Sequence, residues 1–379
     1  MKKAIGLILA VASAMTASAV VVDVVGAGVE KFDVAINVAN ADFAKCLRKN
    51  LELSGVFNVK SSASIKVSGN AGAVRAEGLG KTVASAETFT DAKSARMAAR
   101  KFSDAMVAAF SRDGQKGFAS KPLAFVKRGG KRGNEICTGY PDGGDIRQLT
   151  SDGKAALCPR WKNATTIYYI GYLNGSQRVY EIDLAAGKRR LALDIRGVSS
   201  PAVVSPDGTK VALVSSFQGN PDLYVLINGR LKRMTNTPNA TEGCPSWSPD
   251  GREIVYMSDE SRRQQLYVVD VATKRTRRLT SRGRDNVEPD WGADGRIAYI
   301  SKRAGGAQVA VLDPAAGDQS AQLVTEPGNW EHPTWACDRR HVAASRDKTL
   351  FIVDTLEGGD KPRKMFVADG NWIDPTWMK

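Results

Sequence analysis

A tripeptide of the form Pro-x-Trp recurs through the C-terminal part of this 379-residue sequence. Its five copies begin at Pro159, Pro245, Pro289, Pro333 and Pro375. A weaker sixth copy, Pro201-Ala202-Val203, lies between the first two, so that successive copies are 42, 44, 44, 44 and 42 residues apart. A near-constant period of this length is typical of a repeat architecture, in which each repeat forms one structural unit.

The repeat that begins at Pro245 contains four short strand patterns separated by turn signals. Pro249-Asp250-Gly251 is typical of a tight turn. The runs at residues 253–258 and 265–271 are apolar and β-branched, and residues 275–280 form a fourth, more basic run. Four strands in a repeat of this length predict a propeller blade, and the lack of a 3.6-residue apolar period excludes a helical solenoid.

The two ends of the repeat region predict a closed ring. The last copy, at Pro375, has room for only one strand of its blade. Three further strand patterns precede the first copy, at residues 122–127, 135–140 and 145–150. A blade assembled from both parts leaves no free edge between the first and last blades. We therefore expect a mainly β fold, with a six-bladed β-propeller over residues 116–379 that is closed by strands of 122–150 with 375–379.

The first nineteen residues have the pattern of a secretory signal peptide. Lys2 and Lys3 form a basic start, residues 4–15 are apolar, and Ala17-Ser18-Ala19 offers small residues at a cleavage site. The apolar run is too short to span a bilayer. We expect residues 1–19 to be removed and the remaining chain to reside in a bacterial periplasm, peripheral to the envelope membranes.

Residues 20–115 lack the repeat and predict a small α/β domain. Helices are expected at residues 41–53 and 91–110, since both segments carry an apolar stripe at helical spacing. Strands are expected at residues 20–25, 34–38, 56–59, 65–67 and 83–89.

The formal net charge is +14, or +12 without Lys2 and Lys3. Basic residues concentrate in the fourth strand of the repeats, at Lys188, Arg189, Arg190, Arg230, Lys232, Arg233, Lys274, Arg275, Arg277, Arg278, Lys361, Arg363 and Lys364. In a propeller this strand is the outer edge of a blade, where such residues discourage edge-to-edge pairing. The alternative is an outer edge that binds an anionic polymer.

No motif for catalysis or for a nucleotide cofactor is present, so we expect no enzymatic activity and no cofactor. Five cysteines, Cys46, Cys137, Cys158, Cys244 and Cys337, show no paired metal-site spacing. His332, Cys337 and His341 could together ligate a metal, but they span a loop, a strand and a turn and need not converge. No nucleic-acid partner is expected.

Several of these segments are similar to the TolB family of periplasmic Tol-Pal system proteins. The residues that carry the likeness are Leu47-Arg48, Leu51, Ser54-Gly55-Val56-Phe57, Leu123-Ala124-Phe125-Val126, Tyr140-Pro141-Asp142-Gly143, Arg147-Gln148-Leu149-Thr150, Ser205-Pro206-Asp207-Gly208 and Ser248-Pro249-Asp250-Gly251. The resemblance implies a monomeric, non-enzymatic scaffold that supports outer-membrane integrity and envelope constriction at division. It also implies a Pal-like lipoprotein on the channel face and a TolA-like protein on the N-terminal segment Val20, Val21, Val22, Asp23, Val24 and Val25.

The loops that lead into the innermost strands predict where a partner would bind. They carry amides, acids and two tryptophans: Asn239, Glu242, Asn286, Glu288, Asn329, Trp330, Glu331, His332, Asn371, Trp372 and Asp374. A polar face with aromatic anchors is typical of a protein interface. An alternative of equal weight is that the tryptophans pack between blades. The acids could also hold a cation in the channel. A propeller hydrolase or lyase is a further alternative function.

Overall fold

The computed structural model describes residues 31–85, 87–111, 114–129, 133–173, 175–356, 361–366 and 370–378. The segment predicted to bind a TolA-like protein, Val20 to Val25, and the predicted signal peptide therefore lie outside the described residues. None of the helices within those ranges is long and apolar enough to span a membrane.

The N-terminal domain is one mixed sheet with two helices packed on it. Its elements are β1 (Phe32–Val38), α1 (Ala41–Leu53), β2 (Phe57–Lys60), β3 (Ile65–Asn70), β4 (Ala73–Gly78), β5 (Lys81–Ala84) and α2 (Ala92–Phe110). The strand order is β2-β1-β3-β4-β5, and β1 runs parallel to both of its neighbours. Phe43, Leu47 and Phe102 bring the two helices into one core with the sheet.

Side-chain caps explain where both helices begin. The Asn40 side chain accepts a 2.9 Å hydrogen bond from the Phe43 amide at the start of α1. Asp91 and Ser94 form a reciprocal capping box at the start of α2. One strand prediction was wrong, because the strand expected over residues 83–89 ends at Ala84, and β4 was not predicted.

Six four-stranded antiparallel sheets follow, each a blade of one propeller. Blades 1 to 3 consist of β9 (Ala156–Asn163), β10 (Thr166–Leu173), β11 (Ser176–Asp183), β12 (Lys188–Leu193), β13 (Val203–Val204), β14 (Lys210–Ser215), β15 (Asp222–Ile227), β16 (Arg230–Arg233), β17 (Glu242–Trp247), β18 (Glu253–Ser258), β19 (Gln265–Asp270) and β20 (Thr276–Arg278). Blades 4 and 5 consist of β21 (Asp285–Trp291), β22 (Ile297–Arg303), β23 (Gly306–Leu312), β24 (Gln322–Leu323), β25 (Trp330–Trp335), β26 (His341–Arg346), β27 (Thr349–Asp354) and β28 (Arg363–Lys364).

Blade 6 joins the two ends of the propeller region, as the repeat predicts. It combines β29 (Trp372–Trp377) with β6 (Leu123–Arg128), β7 (Asn134–Gly139) and β8 (Arg147–Gln148). β29 pairs antiparallel with β6, with Trp372 opposite Lys127 and Trp377 opposite Leu123. The C-terminal strand is thus the innermost strand of a blade whose other three strands come from residues 123–148.

The N-terminal domain packs on blade 6 through a buried ionic cluster. Arg100 of α2 is fully buried, with its guanidinium 2.9 Å from Asp142 Oδ2 and 2.7 Å from Asp145 Oδ2. The Cys46 thiol of α1 donates a 2.9 Å hydrogen bond to Asp142, and the guanidinium of Arg100 lies 3.9 Å from the ring centre of Tyr140. Burial opposes ionisation of Asp142, but Arg100 outweighs burial and keeps the Asp142 pKa below its ordinary value.

The same domain also covers the outer edge of blade 5. Lys49 Nζ of α1 donates a 2.8 Å hydrogen bond to the Lys364 carbonyl. Gly55, which follows α1 with φ +68°, approaches Arg363 so closely that a Cβ there would lie 2.7 Å from Arg363 Nη2. The N-terminal domain therefore contacts this basic edge and partly buries Arg363, while Lys364 stays exposed.

Candidate partner-binding channel

A ring of strained residues surrounds the propeller axis. In five blades the residue before the proline of the Pro-x-Trp motif has a positive φ: Cys158 (53°), Cys244 (50°), Glu288 (54°), His332 (52°) and Asp374 (50°). This conformation is uncommon for residues other than glycine, and a following proline restricts the backbone further. The pairing register of each inner strand shifts at or beside this residue, which indicates a β-bulge.

These five residues, which we name the channel ring, all line one axial cavity of about 570 Å³. The cavity continues past the ring to the turns that follow the inner strands, where Pro206 and Pro249 border it. Because a bulge reorients a side chain relative to a regular strand, the repeat presents one side chain from each of five blades to one space: two thiols, two carboxyl groups and an imidazole.

Two pairs of charged or polar groups organise the ring. Arg160 Nη1 lies 3.1 Å from Asp374 Oδ1. His332 donates its backbone amide to Glu288 Oε2 at 2.6 Å, and its Nε2 lies 3.5 Å from Glu288 Oε1. Burial opposes ionisation of Asp374, but Arg160 outweighs it and lowers the Asp374 pKa. The channel therefore holds a fixed ion pair beside an acid–imidazole pair.

Burial disfavours ionisation of the two ring cysteines. Burial raises the pKa of Cys158 well above its ordinary value, and the nearby Asp374 carboxylate adds to this effect. Burial likewise raises the pKa of Cys244 to about 12, with Glu288 contributing. Both thiols are free, and a thiol held neutral is a poor nucleophile and a poor metal ligand.

The Pro-x-Trp residues themselves hold neighbouring blades together. Ser246 Oγ donates to Asp290 Oδ1 at 3.2 Å, and Asp290 Oδ2 accepts from Thr334 Oγ1 at 3.2 Å. Trp161 Nε1 donates to the Thr376 carbonyl at 3.2 Å, across the junction of blades 1 and 6. The regular spacing of the motif thus follows from a repeated contact between adjacent inner strands.

The eleven residues predicted on the channel face fall into three groups. Those that line the cavity are Glu288, His332 and Asp374. Those exposed on the loops before the inner strands or at the start of β25, which we name the entry face, are Asn239, Asn329, Glu331 and Asn371. Those buried within the blades are Glu242, Asn286, Trp330 and Trp372.

The buried group stabilises the blades. Trp330 donates Nε1 to the Glu326 carbonyl at 3.0 Å and lies under the Arg346 guanidinium. Trp372 packs edge-on against Phe125, at 5.2 Å between ring centres. Neither tryptophan is exposed to a partner, and both pack within the propeller. Burial raises the pKa of Glu242 to about 7, and Asp222 adds to the rise.

The structure does not bring His332, Cys337 and His341 together as a metal site. His332 lines the channel, whereas His341 is fully buried at the domain interface, where Nδ1 lies 2.6 Å from Asp338 Oδ2. Cys337 contacts the Gly117 carbonyl of the interdomain segment. Across the described ranges, no three His, Cys, Asp or Glu side chains are placed to hold a metal ion.

The channel residues that sequence reasoning missed include Cys158, Arg160 and Cys244. The signal that could have found Cys158 and Cys244 is the repeat itself, whereas Arg160 is the middle residue of its motif and lies outside this signal. Once one residue before a motif proline faces the axis, the same position in every other repeat is expected to do so. The predicted face followed the loops instead, where amides and acids are abundant.

Fold and channel define a six-bladed β-propeller with an axial polar cavity, preceded by a small α/β domain. The sequence model of the family described as "TolB beta propeller domain" matches residues 112–379, and the chain belongs to this family.

Curated relatives match part of the chain. The chain is 30% identical over 220 residues to the "Tol-Pal system protein TolB" of Francisella tularensis subsp. tularensis, covering 54% of this chain and 50% of the relative. It is 27% identical over 232 residues to the "Protein TolB homolog" of Protochlamydia amoebophila, covering 56% and 49%. The chain thus spans about half the length of the curated relatives it matches.

Among solved structures, TolB from Acinetobacter baumannii matches with a TM-score of 0.78 at 21% identity. The match covers 92% of this chain and 97% of that one. At this identity the likeness shows the fold, and its extent shows that the α/β domain is part of the shared fold.

Proposed function

We propose that this protein is a periplasmic, non-enzymatic scaffold of a Tol-Pal system, exported by the signal peptide of residues 1–19. It binds a Pal-like lipoprotein through the entry face and channel, and a TolA-like protein through residues 20–25. In this role it supports outer-membrane integrity and envelope constriction. Its membership of the TolB propeller family carries the proposal, and the Francisella tularensis relative is a Tol-Pal system protein.

The geometry of the entry face supports a protein partner. Asn239, Asn329, Glu331 and Asn371 expose polar side chains at the entry to three of the inner strands, those of blades 3, 5 and 6. A polar rim around a central cavity suits a partner that places one side chain in the cavity and hydrogen-bonds around it.

The channel chemistry favours binding over catalysis. Burial raises the pKa of the Cys158 and Cys244 thiols, and Asp374 forms an ion pair with Arg160. Such groups recognise a partner without offering an activated nucleophile.

The proposal is tested with a pull-down of the mature protein by the Pal-like lipoprotein of the same organism. We expect the double variant Asn329→Ala/Glu331→Ala to weaken binding about tenfold, a loss of about 1.4 kcal/mol. Glu77→Ala, which removes an exposed acid of the N-terminal domain, is the matched control and should bind as wild type does. Deletion of residues 20–25 should abolish capture of a TolA-like protein and leave Pal binding intact. A wild-type protein that captures neither partner contradicts the proposal.

A further inference from the structure

The outer strands of three consecutive blades carry basic residues and no acidic ones. These strands are β12, β16 and β20, in blades 1, 2 and 3. Six exposed side chains on them and on the adjoining turn form what we name the cationic edge: Lys188, Arg230, Lys232, Lys274, Arg275 and Arg278. Charge of one sign over three adjacent blades creates a local positive potential that attracts anions.

Three of the nearby acids are paired with other arginines. Arg189 pairs with Asp152, and Arg277 Nη2 lies 3.4 Å from Glu253 Oε2. Arg233 pairs with the buried Asp222. Asp183 and Asp270, in contrast, end the strands that precede β12 and β20. Hydrogen bonds from Thr273 and, to a lesser extent, the charge of Arg275 lower the Asp270 pKa. Within the described ranges, none of the six side chains of the cationic edge forms an ion pair, so their charges stay available to a partner.

The remaining blades carry less of this charge on their outer strands. The outer strand of blade 4, β24, is Gln322–Leu323 and has no charged residue. In blade 6, β8 has one basic residue, Arg147, whose Nη1 donates a 3.5 Å hydrogen bond to the Leu184 carbonyl of blade 1. In blade 5, β28 is Arg363–Lys364, and Lys49 of α1 donates a hydrogen bond to the Lys364 carbonyl. The cationic edge thus lies on blades 1 to 3, whereas the N-terminal domain packs on blades 5 and 6.

We propose that the cationic edge binds a flexible, linear anionic polysaccharide. A duplex nucleic acid has a persistence length of about 50 nm and cannot follow the convex rim of a small propeller. A single strand is held by aromatic side chains that stack on its bases, and β12, β16 and β20 contain none. A flat membrane would contact only part of a convex rim, whereas a flexible chain follows all three blades.

Heparin serves as the probe in a calorimetric titration at several salt concentrations. The variant Lys188→Gln/Arg230→Gln/Lys232→Gln/Arg275→Gln removes four charges of the cationic edge. The control Lys45→Gln/Arg48→Gln/Lys66→Gln/Lys93→Gln removes four exposed charges of the N-terminal domain. We expect the Kd of the first variant to rise at least about tenfold with a flatter salt dependence, because fewer counterions are released. The control should change the Kd less than about twofold.

Three results would overturn this proposal. One is a wild-type protein that does not bind heparin at about 0.15 M salt. The second is an equal loss in both variants, which would trace binding to net charge alone. The third is binding to single-stranded DNA or to anionic vesicles that is as tight as heparin binding and equally sensitive to the first variant. Capture of the Pal-like lipoprotein should be unchanged in the first variant, so the two proposals fail separately.

Discussion

His341 is the residue whose ionisation most directly couples to the packing of the two domains. It is fully buried, with Nδ1 2.6 Å from Asp338 and Nε2 3.5 Å from Asp354. Arg363 Nη2 lies 3.2 Å from Nε2, and the ring of Phe118, from the segment that joins the domains, packs edge-on at 5.0 Å. Burial favours the neutral imidazole, but the two carboxylates outweigh burial and raise the His341 pKa.

A raised pKa means that the folded protein binds the His341 proton more tightly than the unfolded chain does. The resulting contribution to stability is complete below the unfolded pKa of about 6.5 and is lost as pH rises through the higher folded pKa. The pKa values of Asp338 and Asp354 are lowered despite burial because His341 faces both, and their contribution is lost as pH falls below the ordinary aspartate range.

We therefore predict that His341→Gln destabilises the protein more at pH 6 than at pH 9. Urea unfolding at a series of pH values measures this difference directly. A penalty for His341→Gln that does not change with pH would contradict the raised pKa and leave only a packing role.

At the scale of elements, closure of the propeller depends on β29. β29 supplies the innermost strand of blade 6, and Trp377 within it is 1% exposed. Its ring contacts Phe118 at 5.3 Å, and its Nε1 donates to the Lys121 carbonyl at 3.3 Å. Without β29, β6 would present an unpaired edge to solvent.

We predict that a chain ending at residue 371 forms oligomers or aggregates, whereas a chain ending at residue 378 stays monomeric. Size-exclusion chromatography with light scattering distinguishes the two. The milder change Trp377→Ala should cost about 3–5 kcal/mol, as expected for a large buried aromatic. A chain ending at residue 371 that is monomeric and melts as the wild type does would show that β29 is dispensable for closure.

The sequence predicted the elements of the propeller better than those of the N-terminal domain. Each blade repeats Pro-x-Trp and its turns, so a signal that is weak once becomes strong when it recurs. β4 (Ala73–Gly78) escaped prediction because it buries only Val74 and Ala76 between polar residues. The predicted strand at 83–89 was too long, since the chain leaves the sheet after Ala84 although Phe89 is still buried. Apolar character indicates burial, but it does not say which backbone conformation achieves it.

The candidate site was less predictable, for a physical reason. Whether a polar residue faces the axis depends on the bulge in each inner strand, and a bulge moves neighbouring side chains between buried and axial positions. Glu288 and Asn286 illustrate this: they are two residues apart, yet Glu288 lines the cavity and Asn286 is buried against Gln265. Single-residue differences of this kind do not follow from composition or loop length.

For the whole molecule, the buried ionic cluster determines whether the two domains behave as one unit. Arg100 has no exposed side-chain surface and Asp142 has 5%, so neither charge can be compensated by water if the other is removed. Breaking such a pair typically costs 3–5 kcal/mol, because it leaves a charge buried without its partner. Asp145 still faces Arg100, so the lower end of that range, about 3 kcal/mol, is expected here.

We predict that Asp142→Asn separates the unfolding of the N-terminal domain from that of the propeller. Scanning calorimetry should show one transition for the wild type and an earlier additional transition for the variant, since the propeller keeps its own closed core. Asp33→Asn, which removes an acid from the exposed Lys60 pair at 2.6 Å, is the matched control and should unfold as the wild type does. The contrary result is a single transition at a lower temperature for Asp142→Asn. In that case contacts such as Phe118 with Trp377 suffice to couple the domains, and the ionic cluster contributes only to their stability.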